Sequence, residues 1–127
     1  MPKGLYFWIA LAWTSVVAYF CLTPSSNLPT VTIPYVDKLV HASFHFAFTL
    51  FWFLFFKKQL ASQNVSKPLV FAFTLSIFFG VVIEILQGSC TTTRRADVID
   101  VLANTTGAVL AVCIILILSK YNRLDKI

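Results

Sequence analysis

Asp37, Lys38, His41, His45, Glu84, Gln87, Arg94, Arg95, Asp97, Asp100 and Asn104 stand in or beside long apolar runs of this sequence. Ionisable groups in such surroundings are costly and mark function by default. Their spacing adds to the case. Asp37, His41 and His45 are four apart, which places them on one face of a helix. Gly80, Glu84 and Gln87 share a face in the same way. Asp97, Asp100, Asn104, Gly107, Ala108 and Ala111 form a stripe that is polar at its start and small below.

These residue types admit several chemistries. Arg94 or Arg95 offers a planar fork that suits a phosphate. Glu84 or His41 can act as a general base, with Asp100 or Asp97 orienting it and Arg94 stabilising phosphate charge. Candidate catalytic residues are therefore Glu84, His41 and Asp100. His41 and His45 can ligate zinc together with Glu84 or Asp100. His-x-x-x-His alone is a weak signal, so neither a metal nor a cofactor is assigned. Each residue also has a structural reading: Asp37 and Asp97 as helix N-caps, with Asp100 at the third helical position of a capping box; Glu84 as half of an ion pair that fixes packing; Asn104 as interhelical glue.

The elements that must position these groups follow from composition. The chain has 127 residues, 58% hydrophobic and 12% charged, with thirteen Phe. Soluble domains run at about 45–50% apolar and about 25% charged. Apolar runs of about 20 residues cross a hydrocarbon core as helices, since a helix satisfies its own backbone there. Four are visible, over about 4–22, 38–56, 68–87 and 97–118. The expectation is an all-α bundle of four transmembrane helices forming one domain over residues 1–127. The first run is read as a retained helix, being longer than a signal-peptide core and followed by no cleavage site. The Phe-rich run between Phe44 and Phe56 reads as lipid-facing and packing bulk. Cys21, Cys90 and Cys113 have no metal spacing; they read as small hydrophobes, with a Cys21–Cys90 pair as the alternative.

The net charge of +5 flanks the apolar runs rather than forming a patch, which excludes a nucleic-acid partner. Lys3, Lys57, Lys58, Lys67, Lys120, Arg123 and Lys126 fall on one side of a four-helix topology; Lys38, Arg94 and Arg95 fall on the other. Positive residues favour the cytoplasm, so both termini are expected inside. The start of the second helix, the end of the third and the start of the fourth then meet in one outer polar layer. The inner half of the bundle reads as dry, which argues against an ion pathway.

Three linked motifs carry a resemblance: Asp37-Lys38-x-x-His41, Glu84-x-x-Gln87, and Arg94-x-x-Asp97-x-x-Asp100-x-x-x-Asn104-x-x-Gly107. In these, and in helix number and order, the chain resembles the VanZ-like family, small bacterial membrane proteins named for a teicoplanin-resistance protein. The resemblance implies a multi-pass protein of the bacterial cytoplasmic membrane with a role at the cell envelope. Members typically carry an aromatic residue one turn after the motif histidine, where this chain has His45. The expected function is binding of a lipid headgroup or lipid-linked envelope precursor by Asp37, Lys38, His41, Glu84, Gln87, Arg94, Asp97, Asp100 and Asn104. Such binding would modulate the envelope or its glycopeptide susceptibility. The alternative is a membrane hydrolase or transferase acting on a phospholipid or lipid-linked glycan. The expected partners are membrane lipids.

Overall fold

A computed structural model of the protein describes residues 1–30, 32–121 and 124. Four helices account for most of them: α1 (Lys3–Leu22), α2 (Val36–Gln59), α3 (Ser66–Cys90) and α4 (Val98–Lys120). A single 3₁₀ turn, Ser25–Asn27, interrupts the first connection. There is no strand among the described residues. Each of the four helices is long and apolar enough to cross a membrane. Four crossings return the chain to the side on which it began. Of the basic residues expected there, Arg123 and Lys126 lie outside the described residues.

The helices run beyond the apolar stretches at several ends. α2 continues through Lys57 and Lys58 to Gln59, where cations in the last turn face the negative end of the helix dipole. α3 begins at Ser66, so that Pro68 sits in its first turn. Proline is tolerated there because the first turn has no intrahelical partner for its missing N–H.

α2 packs against all three other helices, most extensively against α4. The small stripe on α4 explains that pairing. Gly107, Ala108 and Ala111 are buried. At Gly107 the backbones meet: a Cβ there would run into the Ala42 carbonyl of α2. Small residues allow this approach, which van der Waals contact rewards in a bilayer where no hydrophobic force separates helix from lipid.

Aromatic side chains fill the other interfaces. Phe48 of α2 stacks on Phe79 of α3, centroids 4.8 Å apart. Trp13 of α1 donates its indole N–H to the Phe44 carbonyl at 3.0 Å, and Trp52 donates to Thr14 Oγ1 at 3.0 Å. Phe48 and Phe53 are fully buried, and the other phenylalanines from Phe44 to Phe56 are half-buried. The Phe-rich run thus packs between helices through Phe48 and Phe53, while its other members keep part of their surface uncovered. The outer apolar surface includes Trp8, Phe78, Ile85, Leu102 and Ile117, all exposed. The three cysteines are free; Cys21 is buried and Cys90 and Cys113 are exposed, so no Cys21–Cys90 disulfide forms.

Candidate functional site

Polar side chains from α2, α3 and α4 converge at the end of the bundle where α2 and α4 begin and α3 ends. Two backbone features place them there. Gly88 lets the connection fold back on α3, since a Cβ at that position would lie 3.1 Å from the Ala96 backbone nitrogen. Thr91 secures the turn, donating to the Gln87 carbonyl at 2.5 Å and accepting the Arg94 N–H at 3.2 Å. The Asp97 backbone N–H then reaches Glu84 Oε2 at 3.2 Å.

Asp97 caps α4 as the sequence leads one to expect, its carboxylate accepting from the Ile99 N–H at 2.9 Å. Asp37 does not cap α2. The residue before that helix is Tyr35, held in a left-handed conformation (φ 61°), and it makes no side-chain cap bond. Asp37 lies in the first turn, where its charge suits the helix dipole. Nor does Asp100 complete a capping box. Its carboxylate turns across to α2, where Lys38 claims it.

Lys38 is the cation that the aspartates of the site hold. Its Nζ stands 2.5 Å from Asp100 Oδ1, 2.9 Å from Asp97 Oδ2 and 3.0 Å from Asp37 Oδ2. The hydrogen bond from Lys38 holds the Asp97 carboxyl below the usual carboxylate range. Lys38 is therefore committed to these aspartates, and it does not pair with Glu84.

Beneath this layer lies a buried one. His41 Nδ1 stands 3.0 Å from Asn104 Oδ1 and 3.8 Å from Glu84 Oε1, while its Nε2 faces Asp100 Oδ2 at 3.7 Å. The imidazole thus sits between two carboxylates. Glu84, Asp100, Asn104 and His41 are all buried. Glu84 Oε1 and Asn104 Nδ2 have no hydrogen-bond partner among the described residues.

Two of the expected members point elsewhere. Gln87 donates to the Cys21 carbonyl at 2.7 Å and ties the end of α1 to α3. Replacing it with leucine is expected to cost about 1 kcal/mol, in the range of interhelical hydrogen bonds in membranes, measured by unfolding of the solubilised protein. His45 lies a turn deeper than His41; its Nδ1 pairs with Ser76 Oγ at 2.9 Å and its ring stacks on Phe48. It does not join His41 at a common ligand position. The reason is the neighbouring face: Ser76, Gly80 and Phe79 of α3 meet His45, whereas Glu84 meets His41.

Two openings adjoin this cluster. A polar cleft of about 580 Å³ is lined by Asp37, Lys38, His41, Arg94, Arg95, Ala96, Asp97 and Asp100. A groove of about 320 Å³ between α1 and α2 is lined largely by apolar residues, including Phe20, Leu28, Pro29, Val36, Val40 and Phe44. Asp37, His41 and Arg94 line both. The apolar wall was not singled out from sequence, although Val36, Val40 and Phe44 are four apart beside the Asp37–His41 face. Arg94 Nε is buried without a hydrogen-bond partner, and the side chain makes no ion pair among the described residues.

Four apolar helices of membrane-spanning length, closed at one end by this polar cluster, define a small multi-pass membrane protein. Residues 3–119 match the VanZ/LLP1 family, and the chain belongs to it. No curated protein and no solved structure matches it.

Proposed function

We propose that this protein binds the anionic headgroup of a membrane lipid in the polar cleft, with the lipid's apolar chain in the adjoining groove. The carrying observation is that cleft and groove share Asp37, His41 and Arg94. A ligand at that junction must be charged at one end and apolar along its length. Among the described residues Arg94 and Arg95 line the cleft without an ion pair, whereas the ammonium of Lys38 is held by three aspartates; of the two arginines, Arg94 also lines the groove. A guanidinium binds a phosphate through two parallel hydrogen bonds.

The distribution of Lys and Arg favours both termini in the cytoplasm, with the cleft then at the outer face. Family membership and this placement support a role in the bacterial cytoplasmic membrane, with a phospholipid or a lipid-linked envelope precursor as ligand. Holding such a lipid would alter its access to other envelope components, glycopeptides included.

Native mass spectrometry of the gently solubilised protein tests the reading. A phospholipid or lipid-linked glycan adduct is expected on the wild type, weakened at least about tenfold by Arg94→Ala, the scale of one lost charged hydrogen-bonding group. A wild type without a specific adduct, or an Arg94→Ala protein that keeps it, would overturn it.

A second reading, a hydrolase or transferase acting on the same lipid, is favoured by one observation. His41, at the cleft floor, faces carboxylates on both sides. In that reading His41 or Glu84 serves as general base and Asp100 orients the imidazole. Turnover that disappears in Glu84→Gln would establish it.

A further inference from the structure

His41, Glu84 and Asp100 each offer one donor atom, and the three atoms lie within 4.8 Å of one another in a buried layer. We infer that these three residues bind a divalent transition-metal ion of the zinc type.

The argument begins with what the buried groups lack. Glu84 is 3% exposed, and its Oε1 has no hydrogen-bond partner among the described residues. An unsatisfied carboxylate oxygen in such a place is costly, and a cation is the natural remedy. Among the described residues no Lys or Arg pairs with Glu84: Lys38 is held by Asp37, Asp97 and Asp100, and Arg94 makes no ion pair. Among the described residues the imidazole of His41 comes within 4 Å, but its separations of 3.8 Å (Nδ1) from Glu84 and 3.7 Å (Nε2) from Asp100 are too long for hydrogen bonds. Two donors about 2.1 Å from one ion stand about 3.0–3.4 Å apart, so donor atoms spread over as much as 4.8 Å would draw together by up to about 1.5 Å to close on a metal.

The surroundings fit as well. An amide oxygen only accepts, so Asn104 Oδ1 at 3.0 Å fixes the proton of His41 on Nδ1. That leaves the Nε2 lone pair on the side of Asp100. Ligating histidines commonly make such a bond through their other nitrogen. Lys38 holds Asp100 Oδ1 and leaves Oδ2 for the ion. One imidazole and two carboxylates suit zinc, and three protein ligands leave a position for water or a phosphate oxygen. His41 and Asp100 also line the polar cleft, so that position is reached from it. His45, held by Ser76, is not part of the set.

The test uses the untagged full chain, stripped with a chelator and re-equilibrated with Zn²⁺ without added lipid. About one zinc per chain is expected, with affinity reduced at least tenfold in Glu84→Gln and in Asp100→Asn and retained in His45→Gln. Pulsed EPR with Cu²⁺ as the probe needs only the wild type, and it should report coupling to a single imidazole nitrogen. A folded wild type that takes up neither ion, a coupling to no imidazole or to two, or uptake unchanged in both carboxylate variants would overturn the inference. The lipid reading is judged by a different readout and stands or falls separately.

Discussion

Gly107→Ala lowers the stability of the solubilised protein by about 3 kcal/mol, and Gly107→Leu leaves no folded bundle. The first figure is the upper end of the cost of overpacking a filled interior. It belongs at the upper end here because the added Cβ would meet the Ala42 carbonyl, carbon and Cα, which are backbone, rather than the end of a side chain. A side chain can change rotamer; a helix backbone can yield only by moving the whole helix. Separating α2 from α4 would also pull His41 away from Asn104 and Lys38 away from Asp100. Gly4→Ala is the control, since nothing lies within 4 Å of a Cβ there, and it should change stability by less than about 0.5 kcal/mol. Unfolding in mixed micelles reads both. A Gly107→Ala protein as stable as the wild type would show that the two backbones do not touch.

Lys38→Met is the second large effect, a loss of about 2–3 kcal/mol. It leaves three carboxylates around a vacated position, and Asp100 is only 12% exposed at its side chain. Removing one partner of a fully buried pair costs about 3–5 kcal/mol. The Lys38 side chain is 23% exposed, so water screens part of that penalty. Adding Asp100→Asn to Lys38→Met should recover at least about 1 kcal/mol, and a double-mutant cycle isolates the coupling. Acid narrows the difference between wild type and Lys38→Met. The folded Asp97 carboxyl titrates below its usual range, so its contribution is present at neutral pH and is lost as pH falls through that lowered value. A Lys38→Met protein with wild-type stability at neutral pH would contradict the pairing.

The four spans were legible because each apolar run approaches the length a bilayer demands, and length and hydropathy are local properties of the chain. The Asp97 cap was legible for the same reason: a cap bonds to its own helix. Asp37 looked equivalent, but Tyr35 turns the chain into α2 through a left-handed residue, and no composition rule announces that. The convergence of His41, Glu84, Asp100 and Asn104 followed from helical spacing and from the order of the spans. The partner of each group did not. Gln87 shares a face with Glu84, yet it finds a backbone carbonyl on α1, and Cys21 carries no sign of this in its side chain. His45 shares a face with His41, yet one turn of helix moves it from Glu84 to Ser76. Spacing gives the face of one helix; the partner depends on what the facing helix presents at the same depth.

The pairing of α2 with α4 also has a consequence for how the protein is made. Chains emerge from the ribosome N-terminus first. The spans therefore reach the bilayer in chain order, α2 and α3 ahead of Asp97, Asp100 and Asn104. During that interval Lys38 lacks two of its three aspartates, and His41 lacks Asn104. The last span to arrive supplies the counter-charges for the earlier ones. A ribosome that stops before Val98 releases a product in which Lys38 lacks Asp100 and His41 lacks Asn104. Its polar groups are left without the partners that the finished bundle provides.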